Sequence, residues 1–366
     1  MRAAVCRSFG APLRIEEAAI RPPGPGEVLV RIAACAVCHS DVAFIDGAWG
    51  GQLPAVYGHE AAGIVEQAGA GAGGLSAGGL SAGDHVVVTL IRYCGGCGRC
   101  ARGQPSLCEG TPAADPDTVL SGAGGEVIHR GMRTGAFAEF VTVDASQVVA
   151  VPQAVPLAAA SLLACGVLTG IGAVRNTAAV EAGSTVVVLG AGGVGLNCVQ
   201  GAALAAAGKI ITADRVAWKL AAARSFGATH VLDTVREDIT AAITELTGGL
   251  GADYVFVAAG AASLIETGSS LLRRGGTLVI VGIPPAGATI SLDPVAIADR
   301  SLRVAGSKMG AGRPRRDIPE LADLYLAGRL KLDELISGRF GFDRINDAID
   351  SARAGEQLRP VLVFGR

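Results

Sequence analysis

The chain has 366 residues, half of them apolar and 17% charged, enough to bury more than one core at roughly 150 residues per domain. Its net charge is −2 with the basic residues dispersed, which argues against nucleic acid or an anionic membrane surface as partner and leaves a small molecule. The opening Met-Arg-Ala-Ala-Val-Cys lacks the apolar core of a secretory signal, so a cytoplasmic location is expected.

From Met1 to about Pro156 the pattern is short, β-branched, Gly-punctuated runs: Glu27 to Ile32, Ala62 to Gln67, His85 to Thr89 and Ala138 to Val143. Such texture predicts a compact β-rich domain. A tandem duplication, Gly73 to Ala77 repeated as Gly78 to Ala82, reads as a tolerated surface-loop insertion with no function attached. Cys94, Cys97, Cys100 and Cys108 follow in the order C-x2-C-x2-C-x7-C. After them, Thr111 to Arg133, rich in Gly, Pro and Asp, reads as an irregular loop.

Beyond Pro156 strands alternate with Ala-rich helices. Thr185 to Leu189, Ile210 to Ala213, Tyr254 to Ala258 and Thr277 to Val281 read as buried parallel strands of a doubly wound sheet. Thr185 to Gly208 carries no charge and has the length of a membrane span, but its β-branched opening, glycine cluster, Asn197 and Gln200 predict strand, turn and buried helix. From about Arg300 the chain is expected to leave that sheet. Leu321 to Leu330 and Ile345 to Ala354 then read as amphipathic helices, and Val361 to Phe364 as a last strand packing back on the first domain.

Nine cysteines without a secretory signal favour metal or catalytic use over disulfides. Four thiolates saturate a tetrahedral zinc and leave no open position, so the lobe at 94–108 reads as structural. An iron–sulfur cluster usually has a shorter last gap followed by Pro; here Leu107 precedes Cys108, and Glu109-Gly110 follow. Cys6, Cys35 and Cys198 read as small core residues, and His85, His129 and His230 as surface or core histidines. For Cys38, His59 and Cys165, spacing alone leaves catalytic zinc ligand and ordinary core residue equally open.

Gly190-Ala191-Gly192-Gly193-Val194-Gly195 follows a predicted strand and opens a helix, so its amides can face a pyrophosphate. Asp214, 19 residues past Gly195 and at the end of the next strand, can accept hydrogen bonds from the adenosine ribose. It would repel a 2′-phosphate, favouring NAD over NADP, against which Arg215 weighs slightly.

The segments Val37-Cys38-His39-Ser40-Asp41, Gly58-His59-Glu60, the four-cysteine run, Cys165-Gly166-Val167-Leu168-Thr169-Gly170 and the glycine fingerprint occur in the order and spacing of the zinc-containing medium-chain alcohol dehydrogenases. Essentially the whole chain resembles that family. Leu163-Ala164-Cys165-Gly166 and Asn176-Thr177 look closest to its aryl-alcohol and thiol-dependent formaldehyde dehydrogenase branch.

The resemblance implies an α/β fold, with a β-rich GroES-like catalytic domain over 1–160 and 301–366 and a Rossmann NAD-binding domain over 161–300. It implies two zinc ions per chain, one in the cysteine lobe and one on Cys38, His59 and Cys165. Glu60 would be a nearby carboxylate that can influence the open ligand position, Asp41 would orient His59, and Ser40 would take the substrate proton. Thr169 and Val194 would line the nicotinamide. His39 and Arg359 would lie near the diphosphate, Asp214 and Lys219 at the ribose, and Val281 among the cofactor contacts.

The implied reaction is hydride transfer from a zinc-polarised alcohol to NAD. Many members end the proton relay in a histidine where this chain has Ala43, so water would serve. Trp49 and Leu90 fall at pocket positions, pointing to primary alcohols or aldehydes with an aromatic or medium aliphatic body; Trp49 reads equally as a core residue. The alternatives are NAD-dependent oxidation of a formaldehyde–thiol adduct and, in another class, a non-catalytic NAD-binding protein, which metal content would separate. A homodimer or homotetramer is implied, with contact near Ser291 to Val304.

Overall fold

The computed structural model describes residues 1–72, 79–110 and 119–365, and they divide into two compact units, Met1–Cys165 with Arg313–Arg366, and Gly166–Gly312. Part of the predicted duplication and the start of the predicted 111–133 loop lie outside the described residues.

The first unit holds a seven-stranded sheet and a small closed barrel. At the sheet's centre runs Glu27–Ala36, whose residues alternate half-buried and buried before a fully buried end, the pattern of a strand with one face on a core. Glu60–Ala68 pairs antiparallel along one side of it, and Phe140–Asp144 pairs with its first half. The closing strand Arg359–Val363 pairs antiparallel with its last residues, Val361 opposite Ala36. The barrel comprises Arg2–Cys6, Arg14–Ile20, Leu120–Gly122, Val127–Arg130 and Ala55–Val56. Residues 119–133 are therefore not the irregular loop expected: two short strands hairpin there, and their Gly-rich turn had masked the pairing.

The second unit is a six-stranded, wholly parallel sheet in the order His230–Asp233, Lys209–Asp214, Thr185–Leu189, Ala252–Val257, Leu272–Ile280, Arg303–Gly306. Sequence order reverses direction at Thr185–Leu189, the switch point at which such sheets bind ligands. Thr185–Leu189 is buried along nearly its whole length, as a strand covered by helices on both faces must be. The uncharged stretch after it breaks at the glycines and continues as the helix Gly193–Leu204. Among the described residues no single helix is long and apolar enough to cross a membrane.

Two further expectations are corrected. The chain does not leave this sheet at Arg300, because Arg303–Gly306 adds a sixth strand beside Leu272–Ile280; the run is too short to announce itself by periodicity. The first tail helix is Pro314–Leu326, not Leu321–Leu330. Pro314 supplies a preset φ at its first position, and Asp317 Oδ2 accepts the Arg313 amide at 2.8 Å. Gly328, at φ +67°, follows its end.

Candidate functional site

Cys38 stands in extended conformation immediately before the helix His39–Ile45. Asp41, in that helix's first turn and without exposed surface, accepts the Cys38 amide at 3.1 Å through Oδ2. Its other oxygen accepts the Gly58 amide at 3.0 Å and lies 2.9 Å from His59 Nδ1. One carboxylate thus ties together the two segments that carry Cys38 and His59. Gly58 sits at φ +91°, and a Cβ there would come within 2.6 Å of the Phe137 backbone, so only glycine turns the chain here. Glu60 opens the strand that pairs with Glu27–Ala36. Cys165 falls between the 3-10 turn Leu162–Ala164 and the helix Gly166–Gly172.

These segments bring Cys38, His59, Glu60 and Cys165 together, all buried, with one potential ligand atom from each within 4.8 Å of every other. The chemistry of this set fits a metal ion. With Nδ1 facing Asp41, His59 presents Nε2, which has no hydrogen-bond partner despite complete burial, and such an orphan beside two thiols is what a metal ligand looks like without its ion. Three of the four donors are the N/S type that zinc prefers.

The charges of these groups act strongly on one another. Hydrogen bonding with Cys165, reinforced by His59 against the cost of burial, holds the Cys38 thiol well below its ordinary range. Burial opposes protonation of His59, but Asp41 outweighs it and raises the imidazole well above its usual value. Burial pushes Glu60 up to about 7, although the Arg359 guanidinium pulls the other way. Arg359 is only 4% exposed and forms an ion pair with Glu60. Sequence reasoning had assigned Arg359 to a cofactor and had no signal for this partner, which lies on a strand from the far end of the chain.

Ser40 is half-buried and His39 exposed on the same helix, with Ala43 half-buried further along. Trp49 is half-buried, edge-on to Phe44 at 5.2 Å, and Phe44 in turn stacks on Tyr57 at 5.8 Å. Leu90 is half-buried just beyond the strand His85–Val88.

The sulfurs of Cys94, Cys97, Cys100 and Cys108 likewise lie within 4.8 Å of one another. Backbone amides point at them: Cys97 N–H donates to Cys94 Sγ and Cys94 N–H to Cys108 Sγ, each at 3.3 Å. Amides of Cys100 and Glu109 lower the Cys97 thiol to about 5. Amides trained on sulfur stabilise thiolates, the ligand form of cysteine. The remaining cysteines, Cys6, Cys35 and Cys198, are fully buried.

In the second unit the fingerprint opens with Gly190 at φ +101°, and Gly192 is the N-cap of Gly193–Leu204. A Cβ on Gly195 would lie 1.8 Å from the Gly190 carbonyl oxygen, whereas one on Gly192 would meet nothing within 4 Å. Gly195 therefore permits close packing, while Gly192 leaves open the approach that a pyrophosphate needs. Asp214 ends its strand as expected, but both its oxygens serve the backbone: Oδ2 accepts the Ala191 amide at 2.7 Å and Oδ1 the Val216 amide at 2.9 Å. Lys219 lies over the Trp218 ring at 5.4 Å. Thr169 Oγ1 is 3.7 Å from Met309 Sδ, Val194 is half-buried and Val281 nearly fully buried.

Comparison with known proteins agrees with this geometry. Residues 24–153 match the family model for the alcohol dehydrogenase GroES-like domain, and residues 193–327 that for zinc-binding dehydrogenase. An NDMA-dependent alcohol dehydrogenase from Amycolatopsis methanolica is 36% identical over 375 residues, 99% of this chain and 98% of the relative. Among solved structures, an alcohol dehydrogenase zinc-binding domain protein from Burkholderia ambifaria has a TM-score of 0.94 at 37% identity, covering 100% of this chain and 99% of its own. Benzyl alcohol dehydrogenase from Acinetobacter calcoaceticus gives 0.92 at 33% identity, with coverage of 100% and 99%. The chain belongs to the zinc-containing medium-chain alcohol dehydrogenase family.

Proposed function

We propose that this alcohol dehydrogenase is zinc-dependent and transfers hydride between NAD and a primary alcohol or aldehyde with an aromatic or medium aliphatic body. The observation that carries the reading is the buried Cys38–His59–Cys165 set, with the His59 ring oriented by Asp41. Cys38, His59 and Cys165 would hold a catalytic zinc, which supplies Lewis acidity toward an alcohol or carbonyl oxygen. The four-cysteine lobe would hold a second, structural zinc. NAD would supply the hydride acceptor, and the open backbone at Gly192 would be available to its pyrophosphate.

The chain's own residues then have separable tasks. Asp41 holds the proton on His59 Nδ1, so that Nε2 offers its lone pair. Arg359 holds Glu60 in the buried site. Ser40 carries the hydroxyl that accepts the substrate proton, and because Ala43 cannot pass it on, water completes the relay. Trp49 and Leu90 shape the apolar wall; the benzyl alcohol dehydrogenase among the relatives supports an aromatic substrate. NAD is favoured over NADP by the carboxylate of Asp214, which would repel a 2′-phosphate. A homodimer or homotetramer is part of the reading, through the exposed Val295 and Val304 and the sheet edge at Arg303–Gly306.

Purified enzyme should contain two zinc ions per chain and reduce NAD with benzylic and medium-chain alcohols. The assay should include NADP, formaldehyde with low-molecular-weight thiols, and NDMA as added acceptor, since one relative is named for its dependence on it. Turnover confined to formaldehyde–thiol mixtures would replace the substrate assignment. Nucleotide binding with no turnover and one zinc per chain would favour a non-catalytic NAD-binding protein.

A further inference from the structure

We infer that Thr89 is a positioning residue for Cys165, fixing where the third donor of the metal set stands. The inference rests on the reading of Cys165 as a metal ligand. Two of the three donors are anchored by Asp41, as described; Cys165 is not among its partners. It occupies the junction between a 3-10 turn and a helix, with φ −142° and ψ −69°.

One tie on this junction comes from another strand. Thr89 Oγ1 donates to the Ala164 carbonyl at 2.7 Å, one peptide before Cys165, and both residues have no exposed surface. Thr89 is itself held on two sides by one residue. Its amide donates to the Gln147 carbonyl at 2.9 Å, and its carbonyl accepts from Gln147 Nε2 at 3.0 Å. That amide nitrogen also reaches the Arg133 carbonyl at 3.2 Å. Thr89 directly follows the strand His85–Val88, which pairs with the strand opening at Glu60, Val88 lying opposite Ala61. The hydroxyl therefore bridges the strand adjoining the His59 segment to the peptide that carries Cys165. A buried, fully satisfied network of this kind is rigid, and rigidity in the groups behind metal ligands is worth about 10- to 100-fold in metal affinity.

The test is replacement of zinc by Co(II) in the intact protein, reading the thiolate-to-cobalt charge-transfer absorption. The wild-type minus Cys165→Ser difference spectrum isolates this site from the four-cysteine lobe. Thr89→Val, which keeps shape but loses the donor, should weaken cobalt binding here about 10-fold or more and shift the band, while lobe cobalt stays at wild-type level. Thr89→Ser should restore both to within about twofold, in keeping with a role for the hydroxyl alone. If Thr89→Val fails to fold, Thr89→Ala removes the donor without setting a methyl against the Ala164 carbonyl and is read in the same way. Wild-type affinity and spectrum in Thr89→Val, equal loss in Thr89→Ser, or parallel loss of lobe cobalt would each overturn the proposal. Absence of any difference between wild type and Cys165→Ser would instead show that Cys165 is not a ligand, removing the reading beneath it.

Discussion

Arg359 is buried against Glu60, so that the last strand of the chain delivers a guanidinium to the carboxylate beside His59. Neither charge has an exposed alternative, so removing one strands the other. Arg359→Met should therefore destabilise the protein by about 3–5 kcal/mol, and Glu60→Gln with Arg359→Met should recover at least half of that loss. Urea denaturation of the single and double variants reads the coupling; additive losses would mean that the two side chains act independently.

The Asp41 carboxylate makes a different prediction, because its task is orientation. Asp41→Asn keeps the shape but replaces an acceptor oxygen with a donor on one side, in conflict with the Cys38 amide or with His59 and the Gly58 amide. Zinc affinity at the buried set should fall about 10- to 100-fold, with the four-cysteine lobe still loaded. Metal analysis after dialysis against a graded chelator series would measure this. Equal retention at both sites would mean that His59 is oriented without Asp41.

What the sequence made legible follows from what chemistry demands locally. The four-cysteine run and the glycine fingerprint are contiguous, and their spacing carries the geometry, down to the open face at Gly192 and the crowded one at Gly195. Cys38, His59 and Cys165 became legible as candidates through the order and spacing of the family's motifs, not through their own spacing alone. The Arg359–Glu60 pair and the Thr89–Ala164 bond depend on which strands become neighbours, and no local pattern announces that. Arg303–Gly306 and His230–Asp233 went unread for another reason: each is only four residues long, too short for a period to emerge. Asp214 was placed correctly, but its bonds to the Ala191 and Val216 amides are visible only in three dimensions.

Acid sensitivity should trace in part to Glu27. Burial works against its ionisation, but the two-pronged Arg21 guanidinium, with contacts of 2.6 and 2.8 Å, and the Gly24 amide hold the carboxyl below its ordinary value of 4.5. A depressed value means that the stabilisation is present above pH 4.5 and disappears as pH falls through the folded-state value. Glu27→Gln should cost about 1–2 kcal/mol at pH 7, the worth of charge-assisted bonds at a partly buried site. The gap to wild type should narrow steadily below pH 4.5. A gap of constant size between pH 7 and pH 3.5, measured by urea midpoints, would rule out this linkage.

The two glycines of the fingerprint should fail in opposite ways. A methyl at Gly195 is forced onto the Gly190 carbonyl oxygen, where no flexible side chain can yield. Gly195→Ala should therefore cost at least about 1–3 kcal/mol of stability, the usual price of overpacking, and should weaken nucleotide binding only as a consequence of the displaced helix. At Gly192 the backbone is extended, with φ −76°, which alanine adopts freely, and the added methyl meets open space. Gly192→Ala should leave the unfolding midpoint within about 0.5 kcal/mol of wild type. Its methyl would occupy the space that a dinucleotide's pyrophosphate approaches, so NADH affinity, followed by fluorescence titration, should fall about tenfold or more, as expected where only glycine admits the ligand. Stability and binding thus separate between the N-cap and the first turn of one helix. If Gly192→Ala binds NADH as wild type does, the pyrophosphate does not lie on this turn, and the cofactor assignment loses its structural basis whatever the zinc content.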